Sequence, residues 1–349
     1  MVCITGHGNA PGHHRSLRRS QPGAFKRPSV GDLMIVDSSG CYTVETAHDH
    51  ETPPSAGVPG AVSQVGEYVA GAQARSEARV TSQARPAGQA RAAGPADPAD
   101  PAGLGQAPGS AGPVSIEARR WLDGAIVERP VLELRPDYTA LIIVAEGLRP
   151  GPSDEASDAL LRDAEARAKT ALGGRDPGEL APVAAWRAAY QAFGAKPKRT
   201  RPSVEALLRR VEAGLPRIDR LTDIYNAISV RHLLPVGGED LARYRGSARL
   251  TRAAGDEPFD TVRDGEPVTG HPESGEVIWR DDAGVTCRCW NWRQCVRTRI
   301  THETTSALFI LDGLAELGQD GLVNAGRDLA GQLAALHPGA RLGWRHIDG

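Results

Sequence analysis

The chain has few of the residues that cross-link a protein or anchor it in a membrane. Its 349 residues include five cysteines, and that odd number implies no disulfide framework. No window approaches the ~18 consecutive apolar residues of a membrane helix, and no apolar segment follows the early basic residues as in a secretory signal. The net charge is −2, whereas a protein that binds nucleic acid by charge alone is basic overall. We therefore expect a soluble cytoplasmic protein in which any contact with RNA uses a local basic patch.

The first third of the chain also lacks apolar periodicity. Residues 1–113 contain long Pro-Ala-Gly-Arg-Gln stretches, such as Gln83–Gln89 and Ala92–Gly103. A segment that cannot bury enough apolar surface cannot offset the entropy lost on ordering. We expect residues 1–113 to form a disordered, dispensable tail and residues 114–349 to form one domain.

The remaining residues show the periodicities of both helices and strands. Strands are predicted over Ser115–Ile126, Val131–Val144, Ala248–Thr251, Val277–Arg280, Thr286–Trp292 and Ala307–Leu311. Helices are predicted over Ser153–Leu172, Leu180–Phe193, Ser203–Val211, Ile218 to near Pro235, and Leu322–Leu336. Because helices and strands arrive in runs and do not alternate strictly, the pattern favours an α+β fold.

A basic hinge of four cations in six residues joins two predicted helices. It reads Lys196-Pro-Lys-Arg-Thr-Arg201, and its cations are Lys196, Lys198, Arg199 and Arg201. The two prolines keep the hinge extended, and it leads to Ser203 at a helix N-terminus, where free N–H groups favour anions. The hinge is either a phosphate contact or a solvated loop.

Polar residues on the next helix could face a substrate. Asp223 and Asn226 are three residues apart, so their side chains point the same way. They either meet one substrate or tie down a neighbouring loop, since polar groups facing a core need partners. Downstream, Gly237 and Gly238 allow a positive φ or a close backbone approach. These glycines form either a backbone pocket for an oxyanion or a plain tight turn.

A cysteine and tryptophan cluster follows. Cys287, Cys289 and Cys295 do not have a usual zinc spacing, and free cysteine packs as a small hydrophobe, so we predict packing and no metal. Trp290 and Trp292 are expected on one strand face, where they could stack a nucleic-acid base or belong to a core.

Three segments together resemble a known family. They are W-R-A-A-Y-Q-A-F-G-A-K-P-K-R-T-R-P-S from Trp186, L-P-R-I-D-R-L-T-D-I-Y-N-A-I-S-V-R-H-L-L-P-V-G-G-E-D from Leu215, and C-R-C-W-N-W-R-Q from Cys287. Over roughly Ile116–Gly313 the chain resembles the B3/B4 tRNA-editing domain of the phenylalanyl-tRNA synthetase β subunit, as a stand-alone member. The resemblance implies an α+β fold in which helices surround a β-sandwich-like central sheet. It also implies a trans-acting deacylase of mischarged tRNA that binds the acceptor end, with no cofactor and no DNA or membrane partner.

The resemblance also implies roles for individual residues. Asn226 matches an Asn of the amino-acid pocket, and the synthetases usually carry a His where this chain has Gly237. Asp312 is the nearest match to an acidic residue that reads the substrate side chain, and Arg293 suits a phosphate or a carboxylate. The implied site residues are catalytic Asn226, Gly237 and Gly238, substrate-binding Asp223, Asp312 and Arg293, and RNA-binding Lys196, Lys198, Arg199 and Arg201.

Two other functions stay open at this point. The missing His at Gly237 is compatible with a non-catalytic RNA-binding module of the same fold. The lack of overall basicity is compatible with a hydrolase or sensor for a free amino-acid-like small molecule. No Ser-His-Asp or Cys-His arrangement follows from spacing, and this suits either a binding module or an enzyme that positions a water on an activated ester.

Overall fold

A computed structural model describes residues 110–196 and 199–348, together with two short strands upstream, β1 (Met34–Val36) and β2 (Tyr42–Val44). These two strands pair antiparallel. Most of the tail that was predicted to be disordered lies outside the described residues. The packed part begins at the first residues of the main range, where the Ala111 N–H donates to the Ala340 carbonyl.

Seven α-helices and eleven further strands make up the rest of the described chain. The helices are α1 (Ile116–Asp123), α2 (Arg129–Leu134), α3 (Glu155–Leu172), α4 (Ala181–Ala192), α5 (Ser203–Leu208), α6 (Arg220–His232) and α7 (Gln319–Leu336). The strands are β3 (Ile126–Val127), β4 (Thr139–Glu146), β5 (Val236–Asp240), β6 (Arg249–Arg252), β7 (Phe259–Arg263), β8 (Glu266–Gly270), β9 (Val277–Asp281), β10 (Gly284–Arg288), β11 (Arg293–Gln294), β12 (Ser306–Gly313) and β13 (Arg341–Asp348).

Two sheets form the centre of the fold. One has four antiparallel strands in the order β13-β4-β12-β5, and the other has five strands in the order β11-β10-β9-β6-β3. In the second sheet only the short β3–β6 pair is parallel. Strands β7 and β8 form a separate antiparallel pair.

Strand β4 explains how the layers stack. Ile142 and Val144 on one face belong to the same core cluster as Trp279 and Leu250 of the five-stranded sheet. The alternate residues, such as Ile143, pack with α6 and α7 on the other face. Since successive side chains of a strand point to opposite faces, a strand buried on both sides has a continuous apolar run. The predicted strand Val131–Val144 is thus confirmed from Thr139 onward, and the layers are a sandwich of two sheets with helices outside.

Helix ends follow from local chemistry. Helix α3 begins at Asp154, whose side chain accepts from the Ser157 N–H while the Ser157 hydroxyl accepts from the Asp154 N–H. The helix ends at Gly173, which has a φ of 53°. Helix α6 begins at Asp219, whose carboxylate accepts from the Thr222 N–H. Such caps satisfy the N–H groups that a first helical turn leaves without intrahelical partners.

One predicted strand near the start of the domain is wrong, and the next was predicted to begin too early. Ser115–Ile126 is mostly helix α1, because the Ser115 hydroxyl accepts from the Ala118 N–H and caps it. The first residues of Val131–Val144 belong to helix α2, which begins with a proline in its first turn. Proline is favoured there because its missing N–H has no partner to lose.

The predicted strand Thr286–Trp292 is too long. Strand β10 ends at Arg288, since Cys289 and Trp290 have φ values of 44° and 66°, which break the extended backbone. Glu276 holds this turn, because its carboxylate accepts from the Cys289 N–H at 2.8 Å and from the Arg288 guanidinium. Trp290 and Trp292 therefore do not share a strand face.

The predicted α+β class with a sandwich-like centre is confirmed. The C-terminal strand β13 and the β7–β8 pair were not predicted. None of the helices in the described ranges has the length and apolar character needed to cross a membrane.

Candidate functional site

A cavity of about 830 Å³, including its open mouth, lies where helices α5 and α6 meet the two sheets. The wall from the helices consists of Ser203, Ala206, Leu207, Arg210, Tyr225 and Asn226. The wall from the sheets and the turn after β10 consists of Val236, Gly237, Glu239, Trp279, Cys287, Trp290, Asn291, Trp292, Gln294, Ile310 and Asp312. The cavity thus combines a mainly apolar, aromatic lining with a few polar groups, as ligand sites do.

Asn226 presents a side-chain amide to this cavity. It lies in the middle of α6, is only 7% exposed, and makes no hydrogen bond to any described residue. Buried polar groups normally have partners, so an amide without one is available to a ligand. Asn226 thus lines the cavity, and its role there stays a prediction.

Gly237 and Gly238 lie in strand β5 and not in a turn. They pair with Ile310 and Phe309 of β12, and neither has a positive φ. A Cβ on Gly238 would lie 2.8 Å from the Tyr225 ring, so this glycine is needed for the close approach of the α6 side chain to the strand. Gly237 lines the cavity, and a Cβ there would meet only the Gln294 side-chain amide, at 3.4 Å.

Asp312 lies in the cavity lining at the end of β12. One carboxylate oxygen accepts from the Tyr138 hydroxyl at 2.6 Å, and the other accepts from the Asn291 amide at 3.1 Å. Burial raises the pKa of Asp312 to about 7. The two hydrogen bonds favour the charged form and lower the pKa, but the effect of burial is larger. Asn291 also accepts from the Tyr190 hydroxyl, so the acid belongs to a buried network.

Glu239 is a second buried acid in the same lining, and it was not predicted as a site residue. It is 2% exposed, and one of its oxygens accepts from the hydroxyls of Thr298, at 2.5 Å, and Tyr244, at 3.0 Å. Burial raises the pKa of Glu239 to about 7. The sequence did contain one signal for this residue. Glu239 is an acidic residue directly after Gly237 and Gly238, which were already predicted to be site residues.

Asp223 does not reach the cavity. Its carboxylate accepts from the Ser157 hydroxyl at 2.9 Å and from the Ile218 N–H at 3.0 Å. Burial raises the pKa of Asp223. The predicted substrate-binding role is therefore wrong, and Asp223 ties α6 to helix α3 and to the loop before α6.

The basic hinge leads into α5, which forms one wall of the cavity. Lys196 and Arg199 are exposed, whereas Arg201 is half-buried and lies 3.5 Å from the Glu205 carboxylate. Lys198 lies outside the described residues. Glu205 is itself fully buried and also accepts hydrogen bonds from Arg187 and Arg209. Among the described cations of the hinge, Arg201 is the one with an ion-pair partner in the protein.

The residues around Trp290 form an aromatic floor. Trp290 is fully buried and contacts Trp186 and Tyr138 edge to face, with ring centroids 5.2 Å and 5.0 Å apart. Trp292 is half-buried and lines the cavity, and the guanidinium of Arg293 lies 4.8 Å from its ring centroid. Burial lowers the pKa of Arg293. The structure places Arg293 behind a cavity residue and not in the lining itself.

The cysteines pack in the core. Cys287, Cys289 and Cys295 are buried and unpaired, and within the described ranges no group of three His, Cys, Asp or Glu residues could hold a metal. Burial raises the pKa of the Cys287 thiol well above its usual range, although this residue lines the cavity. A protonated thiol is a poor nucleophile, so the site offers no cysteine for covalent catalysis.

Comparison with known proteins bears on this site. Residues 185–318 match the family of the B3/4 domain. The resemblance to the B3/4 family is confirmed. The matched part begins in α4 and includes all the lining residues of the cavity.

Among solved structures, an N-terminal fragment of the phenylalanyl-tRNA synthetase β subunit from Pyrococcus horikoshii is similar, at 13% identity and a TM-score of 0.31. The alignment covers 62% of this chain and 49% of that one, so the chain spans about half the length of the fragment. A likeness this distant does not establish a shared activity. Comparison with curated proteins gave no match.

Proposed function

We propose that this protein is a trans-acting aminoacyl-tRNA deacylase, which hydrolyses the ester of mischarged tRNA released by other enzymes. The B3/4 match supports a tRNA-related role at the level of the family. The observation that carries the finer proposal is the amide of Asn226, which is buried in the cavity wall without a partner among the described residues. An amide can donate to the carbonyl oxygen of an ester and accept from an amine, the two groups an aminoacyl ester presents together.

The chemistry of the lining favours attack by water. None of the described histidines lines the cavity, and burial raises the pKa of the Cys287 thiol well above its usual range, so the thiol stays protonated. Without an activated nucleophile, a covalent intermediate has no support. An aminoacyl ester is already activated, so holding the carbonyl against the Asn226 amide and a water in line with it supplies much of the rate.

In this proposal the cavity receives the aminoacyl group and its rim receives the tRNA. The aromatic rings of Trp279, Trp290 and Trp292 in the lining supply apolar contact for an amino-acid side chain. The basic hinge enters α5 at the edge of this cavity, where the cations of Lys196 and Arg199 can meet phosphates of the acceptor end. Lys198 and Arg201 complete the proposed RNA contact.

A panel of mischarged tRNAs tests the proposal. Each tRNA carries a labelled amino acid, and release of the label is followed with and without the purified protein. Hydrolysis of at least one mischarged tRNA, with the correctly charged tRNA left intact, supports the deacylase. Binding of tRNA without any hydrolysis would favour a non-catalytic RNA-binding module.

A further inference from the structure

Glu239 has a free carboxylate oxygen in the cavity. Its Oε2 accepts from both Thr298 and Tyr244, and its Oε1 has no partner among the described residues. Because alternate residues of a strand share a face, Glu239 lies on the same side of β5 as Gly237, the side that lines the cavity. Among the described lining residues, this oxygen and the amide of Asn226 are thus polar groups without a hydrogen-bond partner, as are the Ser203 hydroxyl and the indole N–H groups of Trp279 and Trp290.

The two anchoring hydroxyls fix the direction of the acid. Thr298 is fully buried, and Tyr244 is 6% exposed, with its hydroxyl oxygen also 3.2 Å from that of Thr286, which can donate to it. Both hold the same oxygen, which leaves Oε1 as the atom that meets a ligand. Asp312 differs, since each of its oxygens already accepts one hydrogen bond.

No cation among the described residues pairs with Glu239. The nearby Arg297 is taken by Asp281, with two contacts of 2.8 Å between the guanidinium and the carboxylate. A buried carboxylate without a cation is costly, and a cationic ligand group would relieve that cost. The free oxygen of Glu239 is therefore complementary to an ammonium group, whereas Arg210 adds a positive charge elsewhere in the lining.

From this geometry we infer that Oε1 of Glu239 binds the α-ammonium group of the aminoacyl ester, which restricts the substrates to esters with a free amine. This inference rests on the proposed function. It assigns the carbonyl end of the ester to Asn226 and the amine end to Glu239. Acylated amines, as in peptidyl or N-formyl esters, lose the positive charge and gain bulk at the point where the carboxylate is fixed.

Binding of stable analogues tests the assignment without any catalysis. Amino-acid amides have the free amine and neutral carbonyl of the ester, and their N-acetyl derivatives lack the charge. Glycinamide, leucinamide and phenylalaninamide, each with its N-acetyl partner, are titrated against the full-length protein. The fluorescence of Trp279 and Trp292 in the cavity reports binding.

For the wild type, at least one free amide is expected to bind about tenfold or more tightly than its N-acetyl partner, the scale of one charge-assisted hydrogen bond. Glu239→Gln is expected to abolish that preference. Glu257→Gln serves as the matched control, because it makes the same change at a buried acid that accepts from the Ala254 and Gly255 N–H groups and does not line the cavity, and it should keep the preference.

The outcomes separate this inference from the proposed function. The role of Glu239 would be contradicted if the wild type bound amides and N-acetyl amides equally well, or bound neither. This result needs only the wild type, so it holds even if Glu239→Gln does not fold. Retention of the preference in a folded Glu239→Gln variant would do the same. A clear preference that is lost in Glu239→Gln, with no mischarged tRNA hydrolysed, would leave the ammonium site standing and contradict the deacylase instead.

Discussion

The ring of Tyr225 lies against the Cα of Gly238, so that a Cβ at residue 238 would be 2.8 Å from two ring carbons. This contact joins helix α6 to strand β5 immediately beside the cavity. The neighbouring Gly237 is different, because a Cβ there would meet only the end of the Gln294 side chain, at 3.4 Å. A side chain at residue 238 would therefore clash with the Tyr225 ring, whereas a side chain at residue 237 would meet only one flexible neighbour.

We expect Gly238→Ala to destabilise the protein by about 1–3 kcal/mol, since overpacking forces Tyr225 or the strand to move. Gly237→Ala is the matched control and should stay within about 0.5 kcal/mol of wild type. Denaturant unfolding of the two variants measures the difference. Equal stabilities would show that the Tyr225–Gly238 contact is not tight.

A second prediction concerns pH and Asp312. Its pKa is about 7 in the folded protein and near its usual 3.8 when unfolded, so the folded state binds more protons between these values. The contribution of Asp312 to the free energy of unfolding should therefore fall as pH rises from about 4 to 7. Its neighbours Tyr138 and Cys287 have raised pKa values and stay neutral over this range.

Asp312→Asn removes this titration. The difference in unfolding free energy, wild type minus variant, should decrease by up to about 1.4 kcal/mol per pH unit in that window. Using the difference cancels opposing groups such as His337, whose pKa is lowered to about 4 by burial. Denaturation curves at several pH values provide the measurement, and parallel stability curves would contradict a buried acid at position 312.

The basic hinge should affect RNA affinity and not amino-acid preference. Changing Lys196, Lys198, Arg199 and Arg201 to Ala should weaken tRNA binding and flatten its salt dependence, by roughly 0.7–0.9 in logarithmic slope per lost phosphate contact. A control with the same change in charge replaces Arg120, Arg129, Arg167 and Arg263, which are exposed and do not line the cavity. Identical slopes for the hinge variant and the control would identify the hinge as a solvated loop.

Substitutions of Asp223 and Asn226 should differ in their effect on stability, because only Asp223 has side-chain hydrogen-bond partners among the described residues. Asp223→Ala leaves the Ile218 N–H and the Ser157 hydroxyl without their partner, which costs about 1–3 kcal/mol. Asn226→Ala removes an amide with no partner among the described residues, so its effect on stability should be under about 1 kcal/mol. Thermal melting of both variants checks this order, and a larger loss in Asn226→Ala would reveal a structural role.

The sequence predicted those helices and strands that depend on the local spacing of apolar residues. In the predicted helix Leu180–Phe193, Trp186 and Tyr190 are four residues apart and so share one face, and both are buried, against Trp290 and Asn291. The apolar run of β4 is typical of a strand covered on both faces. These features depend on periodicity, which the sequence contains.

Features determined by distant contacts could not be predicted in this way. The turn after β10 places two non-glycine residues, Cys289 and Trp290, at positive φ, held from elsewhere by Glu276. Gly237 and Gly238 resembled a turn in the sequence, but they lie in strand β5. A larger residue at position 238 would clash with the ring of Tyr225, which belongs to helix α6. Glu239 became a site residue only when the fold placed its free oxygen in the cavity beside Asn226.

The central claim is that Asn226 holds the ester during hydrolysis. The most direct test compares deacylation of a mischarged tRNA panel by wild type and by Asn226→Ala, after both are shown to melt alike. We expect the wild type to hydrolyse at least one mischarged tRNA and the variant to be slower by on the order of 10²-fold, the cost of one lost oxyanion donor. A folded variant that deacylates every accepted substrate at the wild-type rate would contradict the account.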